Sequence, residues 1–223
     1  MAAQIEIAEE TTPKRTFVWA IDWPGWCRSG KDPILAREAF LNASARYADV
    51  AALAGEPFPP GEAASFEFDL VESVEGGGGT EFGVPSEITP LDRQAVTAED
   101  ADRLARLVEA AWTVFDRVAA AAPAELRKGP RGGGRDRDKM VRHVDEADHA
   151  YAEVLGLKMP SPDRADPPTV TELRTAMLAV LRAPSDGSPI AGRKWPPRYA
   201  ARRIAWHALD HAWEIQDRSE PAG

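Results

Sequence analysis

Alternating apolar and polar positions mark the first third of the chain as strand-forming. Residues 15–22, RTFVWAID, are rich in β-branched and aromatic side chains, and residues 65–75 place phenylalanine and leucine at alternate positions. Residues 3–9 alternate in the same way. The stretch WPGWCRSGKD, residues 23–32, contains proline and two glycines and predicts a turn. The pattern therefore predicts three strands and one turn.

Helical spacing begins at Asp32, which precedes Pro33 and predicts an N-cap with proline at the first helical position. The apolar residues that follow recur every three or four positions and predict a helix of about 22 residues. After residue 95 the same spacing dominates the chain. It predicts helices over residues 97–122, 136–156, 168–183 and 196–218.

The loop at residues 76–92 contains four consecutive glycines and is the predicted hinge or boundary between two regions. We therefore expect an α+β protein, with a small α+β module over residues 1–94. Four successive helices over residues 95–223 predict a C-terminal up-down four-helix bundle.

Composition places the chain among soluble globular proteins, with 43% hydrophobic and 28% charged residues. No apolar run reaches the roughly 18 residues of a membrane span, and the first residues lack the order of a secretory signal. A single cysteine, Cys27, excludes an internal disulfide and is expected to be a buried small hydrophobe. These features predict a cytoplasmic protein with no membrane partner.

Charge is unevenly distributed along the chain. Residues 1–100 carry 7 basic and 18 acidic side chains, whereas residues 101–223 carry 20 and 18. The acidic front argues against nucleic acid as a partner, because phosphates would be repelled; an alternative is that acidity only keeps the protein soluble. The seven tryptophans favour a homodimer, because a bundle of this size can leave an apolar face uncovered, but the sequence does not determine the oligomeric state.

Two of the four histidines, His207 and His211, lie four residues apart in the apolar stretch RYAARRIAWHALDHAWEIQDR. On a helix they share one stripe, so both can contact one ion. The other two, His143 and His149, are about 240° apart on the second predicted helix, so only one of them can join. His143 shares its side with apolar residues and is the predicted third ligand, whereas His149, flanked by aspartates, is expected to face solvent.

Carboxylates beside these histidines are candidates for chemistry. Glu146, about one turn from His143, is a candidate fourth ligand, supporting partner or general base, and Asp210 lies on the stripe of the histidine pair. A competing interpretation makes His207 and His211 ordinary core residues, bonded to Asp210, Glu214 or the backbone. Imidazole suits zinc, nickel and iron alike, so the spacing predicts a divalent metal without naming it.

The segments KMVRHVDEADHAYAEVLG and RRIAWHALDHAWEIQDR resemble the DinB family and its thiol-dependent transferase relatives, over about residues 97–218. The resemblance implies a four-helix bundle that holds a divalent metal through His143, His207 and His211. It also implies a small-molecule substrate and a low-molecular-weight thiol as cofactor. Metal-assisted hydrolysis is the competing chemistry.

A basic glycine-rich loop, residues 126–136, leads into the histidine-bearing helix. Backbone N–H groups and the helix dipole favour anions there, so the loop is a candidate site for a carboxylate or phosphate of a substrate or cofactor. The alternative is a solvated flexible loop. The candidate binding residues are Arg127, Lys128, Arg131 and Arg135.

The stretch TFVWAIDWPGWCRSGKDPILAREAFLNASARYADV resembles the HicB-type antitoxin module. Asp22, Pro24 and Gly25 match the turn of that module, whereas Asp32 departs from its pattern. This resemblance implies association with a partner or with a second copy. It supports an alternative function, in which the protein is a non-enzymatic regulatory or protein-binding protein and the helices are its scaffold.

Overall fold

The computed structural model describes residues 3–59, 66–129 and 133–219, which form a mixed α+β structure. The strands are β1 Ala3–Thr12, β2 Arg15–Ala20, β3 Cys27–Gly30 and β4 Phe66–Glu75. The helices are α1 Pro33–Asn42, α2 Ser44–Leu53, α3 Gly78–Phe82, α4 Ala98–Ala121, α5 Arg137–Val154, α6 Pro167–Leu181 and α7 Pro197–Ser219. The predicted α+β class is confirmed.

The four strands form one sheet in the order β3-β2-β1-β4. β1 pairs antiparallel with β2 and parallel with β4, and β2 pairs antiparallel with β3. The sequence did not predict β3, because its four residues lie inside the segment assigned to a turn. The connection between β2 and β3 spans only residues 21–26, and Gly25 lies in it with φ +92°. A Cβ on Gly25 would lie 2.7 Å from the side chain of Leu209, so glycine allows the turn to approach α7.

The single helix predicted after Asp32 is divided into α1 and α2 at Ala43. Asp32 caps α1 as expected, accepting a hydrogen bond of 2.9 Å from the N–H of Leu35. At the break, the Phe40 carbonyl accepts from the Trp26 indole at 2.9 Å and from the Ala43 N–H at 3.2 Å. This carbonyl therefore has partners outside the regular α-helical pattern, and the two short helices lie around the buried indole of Trp26.

The four C-terminal helices lie where the periodicity predicts them, and α7 packs against α4, α5 and α6. Thr97 and Asp100 form a capping box that begins α4. α7 also contacts the sheet through Trp206, whose ring meets Phe17 edge-on at 6.0 Å. Contacts on several sides explain why α7 has so little hydrophilic surface. Within the described residues, no helix has both the length and the apolar character needed to cross a lipid bilayer.

One continuous apolar cluster joins the two regions of the chain. Ile7 and Trp26 from the first region belong to the same buried cluster as Leu107 and Ile204 from the second. The boundary between residues 1–94 and 95–223 stays a prediction, and the packing gives the two regions a shared core.

The glycine-rich segment between β4 and α4 is held to the sheet by a buried carboxylate. Glu10 accepts hydrogen bonds from the Thr80 hydroxyl and from the N–H groups of Ser86 and Glu87, the last two at 3.1 Å. Burial of Glu10 raises the pKa of its carboxyl, while these bonds act in the opposite direction. The segment contains α3 and is attached along its length.

Candidate metal centre

Three imidazoles, one from α5 and two from α7, lie close together where these two helices face each other. His143 on α5 and His207 and His211 on α7 each offer a ring nitrogen within 4.8 Å of the others. The Nε2 atoms of His143 and His207 are 3.3 Å apart. Two nitrogens held by one tetrahedral ion at about 2.0–2.1 Å would lie about 3.3–3.4 Å apart. The separation therefore matches two ligands of a single ion, and the three histidines lie close enough to hold one.

Helix geometry explains this convergence. His207 and His211 are one turn apart on α7, with ring centroids 4.6 Å apart, and the His143 ring lies 4.9 Å from that of His211. His149, on the same helix as His143, points elsewhere. It is half-buried rather than solvent-facing, with its Nε2 2.8 Å from the carbonyl oxygen of Met159.

Burial favours the neutral form of two of the imidazoles, those of His143 and His207. Desolvation lowers the pKa of His207 well below its ordinary value, and the neighbouring His211 and Arg203 act in the same direction. Desolvation lowers the pKa of His143 as well. A neutral imidazole has a free lone pair at neutral pH, which is the form that binds metals.

Glu214 orients the third imidazole. The Nδ1 of His211 lies 3.2 Å from Glu214 Oε2, and the other carboxylate oxygen accepts from Arg218 at 2.7 Å. This contact leaves the Nε2 of His211 free for an ion, as in the carboxylate–histidine pairs of known metal sites. In the sequence, the spacing of three residues between His211 and Glu214 is the signal for this pair.

The two carboxylates predicted to act in chemistry lie outside the ligand group. Glu146 is exposed on α5, near enough to His143 to act on its pKa, and it lines a surface pocket with Arg142 and Arg164. Asp210 is directed towards the sheet, where it accepts from Arg28 of β3 at 2.9 Å. The structure therefore leaves Glu146 exposed with an electrostatic effect on His143, and it engages Asp210 in a contact between α7 and the sheet.

The basic loop is tied to the ends of α5 and α7. Arg127 donates to the carbonyl of Asp217 at 2.7 Å, and Lys128 is paired with Asp136. Arg135 is exposed and contributes to lowering the pKa of the clustered histidines His143 and His207. Arg131 lies outside the described residues. Arg127 and Lys128 therefore have protein partners, and among the described cations of the loop Arg135 has an electrostatic effect on the histidines.

Aromatic side chains surround the inner side of the cluster. Tyr151 meets His207 edge-on at 5.7 Å and Trp195 at 5.0 Å. The guanidinium of Arg203 lies over the rings of Tyr151 and Trp206, at 5.3 and 4.5 Å from their centroids. Arg203 precedes His207 by four residues, a spacing that places both on one helix stripe, but no pattern in the sequence assigned it a role.

No family model, no curated protein and no solved structure matches the chain. The resemblances to the DinB and HicB families therefore stay expectations from short motifs. The geometry of the three histidines is the observation on which a functional argument can depend.

Proposed function

We propose that the chain is a divalent-metal-dependent enzyme of the DinB type, with α4 to α7 as an up-down four-helix bundle. His143, His207 and His211 are its metal ligands. The observation that carries this proposal is the meeting of three imidazoles from two helices in a largely buried site. Packing of α7 on α4, α5 and α6 supports the bundle.

The donor set fits a divalent transition metal. Three imidazoles suit zinc, nickel or iron, and three protein ligands leave at least one coordination position for a substrate. Glu214 fixes the ring of His211, and Tyr151 packs against His207. When bound, the ion would act as a Lewis acid towards a substrate, water or thiol. In this proposal the carboxylate of Glu146, exposed and near enough to act on the pKa of His143, would accept the proton that a water or thiol loses and return it to the product.

Thiol transfer and metal-assisted hydrolysis differ in what the chain must receive from outside. The one cysteine, Cys27, is buried in the cluster that contains Trp206, and burial raises the pKa of its thiol. Cys27 is therefore unsuited to act as a nucleophile. A transferase reaction would need a low-molecular-weight thiol, whereas hydrolysis would need only water.

The proposal is tested by elemental analysis of protein purified without chelator. We expect near-stoichiometric metal in the wild type and in His149→Ala, a control that removes a histidine outside the cluster. His207→Ala should lose the metal. A wild-type protein without metal, or a His207→Ala variant that retains it, would falsify the proposal. The regulatory alternative then predicts a protein partner whose retention is insensitive to chelator.

A further inference from the structure

Two consecutive arginines on α7 are equally buried but differ in their partners. Arg202 and Arg203 are 7% and 8% exposed. Arg202 donates from Nε and Nη2 to the two carboxylate oxygens of Asp92, at 2.8 and 2.7 Å, and also to the Glu87 carbonyl. Its charge is therefore compensated by a forked ion pair.

Arg203 has no such compensation. Among residues 3–59, 66–129 and 133–219, no carboxylate pairs with it, and its Nη1 is buried without a hydrogen-bond partner. Its contacts with the rings of Tyr151 and Trp206 supply some attraction to the cation. A buried guanidinium nitrogen without a hydrogen bond or a counter-ion is nevertheless unfavourable, so an anion that reaches Nη1 would be stabilised there.

Two further unpartnered nitrogens lie beside Arg203 on the same side of α7. The Nε1 of Trp206 and the Nδ1 of His207 are buried, and nothing in the described parts of the chain forms a hydrogen bond with them. They follow Arg203 by three and four residues, which places all three side chains on one helix face. If Nε2 of His207 is the metal ligand, the neutral ring carries its hydrogen on Nδ1 and is a donor. The face then presents N–H donors and one positive charge.

We propose that Arg203, assisted by Trp206 and His207, binds a carboxylate group of the substrate. A carboxylate matches one guanidinium in charge and in its pair of acceptor oxygens. This inference rests on the proposed function, because it places the carboxylate beside the histidine cluster. Arg203 precedes His207 by about 6 Å along the helix axis. The substrate is therefore a small organic acid whose reacting atom lies a few bonds from its carboxylate.

The test compares thermal unfolding of the purified protein in sodium acetate, sodium succinate, sodium phosphate and sodium chloride at equal ionic strength. Metal content is measured in the same samples. We expect a carboxylate at about tenfold excess over its Kd to raise the Tm of the wild type by about 3–6 °C relative to chloride. Arg203→Met should retain its metal and bind the carboxylate at least about tenfold more weakly.

Arg202→Met is the matched control. It leaves Asp92 buried without a partner, so its Tm in chloride should fall, whereas Arg203→Met removes an uncompensated charge and should unfold at an equal or higher temperature. Arg203→Lys keeps the charge without the fork and provides a second measure of weakened carboxylate binding.

Four outcomes would overturn the inference. In the first, Arg203→Met and Arg203→Lys both bind the carboxylate as tightly as the wild type. In the second, Arg203→Met loses as much stability as Arg202→Met. In the third, phosphate raises the Tm more than the carboxylates do, and this increase is lost in the Arg203 variants. In the fourth, the wild type holds metal but its Tm does not change with carboxylates, and the proposed function then stands without the carboxylate site.

A separate outcome bears on the proposed function. Carboxylate binding that depends on Arg203 in a protein without metal would overturn the proposed function and retain the carboxylate site.

Discussion

Helix α5 carries two buried polar clusters on different faces, and they differ in whether their charges are paired. Asp145 and Asp148 face α6 and its preceding loop, where Arg174 pairs with Asp148 at 3.2 Å and Arg164 forms a forked pair with Asp145 at 2.8 Å. Arg174 also pairs with Asp116 of α4 at 2.7 Å. We call these five residues the aspartate–arginine network.

His143, on another face of α5, meets His207 and His211, and nearby Arg203 has no acidic partner within the described parts of the chain. In the aspartate–arginine network each of the three carboxylates is paired with at least one of the two arginines, and these pairs join α4, α5 and α6. At the histidine cluster, Glu214 engages Nδ1 of His211, whereas Nδ1 of His207 and Nη1 of nearby Arg203 have no hydrogen-bond partner among the described residues. Buried polar groups without partners are rare in folded proteins, and several of them beside three converging imidazoles favour a ligand at this place.

The largest effect should come from breaking the network at its centre. Arg174→Met leaves Asp148 and Asp145 buried without their shared cation, and we expect a loss of about 3–5 kcal/mol in the free energy of unfolding. Urea unfolding measures this loss. Arg182→Met, which removes a half-exposed arginine at the end of the same helix, should cost at most about 1 kcal/mol. Equal losses in the two variants would contradict a structural role for the network.

Removing metal should destabilise the histidine cluster and leave the network unaffected. For a metal at about 100 to 1,000 times its Kd, a chelator should lower the free energy of unfolding of the wild type by roughly 3–4 kcal/mol. His207→Ala should show no response, and His149→Ala should respond like the wild type. Calorimetry with and without chelator measures the effect. If the chelator destabilises His207→Ala as much as the wild type, the metal is bound at another site.

The pH dependence of stability should report the network through Asp148. Burial raises the pKa of Asp148 from 3.8 to about 6, against the effect of Arg174. The folded state therefore holds this proton more tightly than the unfolded state. The stability that this bound proton contributes is present below about pH 4 and is lost as the pH rises through about 6. The difference between the folded and unfolded pKa of Asp148 corresponds to about 3 kcal/mol.

In Asp148→Asn this loss is absent. The stability of the variant relative to the wild type should therefore improve between pH 4 and pH 7, by up to about 3 kcal/mol. Urea unfolding at several pH values measures the difference. Asp138→Asn, at an exposed position on the same helix, controls for the loss of one carboxylate. A constant difference between Asp148→Asn and the wild type across this range would refute the assignment.

The smallest effect should come from removing the carboxylate that is hydrogen-bonded to the His211 ring. Glu214→Gln removes the carboxylate that accepts from His211 and should weaken metal affinity by about 10- to 100-fold. Competition with a metal indicator measures the Kd. Asp217→Asn, nearby on α7 and paired with Arg46 at the surface, should leave the Kd unchanged. Unchanged affinity in Glu214→Gln would mean that the carboxylate does not act through His211.

The sequence alone was sufficient to predict the limits of the helices in the second region and to select the three histidines that cluster. The predicted limits of α4 to α7 agree with the structure to within about two residues, because helical spacing and caps are local properties of the backbone. The spacing of His207 and His211 follows from the same local geometry, and the choice of His143 over His149 follows from the side of the helix on which each lies.

Tertiary structure decided which polar groups are compensated. Arg202 and Arg203 are adjacent and equally buried, but Asp92, which compensates Arg202, is 110 residues away in the sequence. Arg174 likewise meets Asp116 across 58 residues. The strand β3 and the break at Ala43 also depend on distant partners, namely β2 and the indole of Trp26. Periodicity reports the conformation of a segment and the side that it buries, whereas charge pairing depends on which segments pack together.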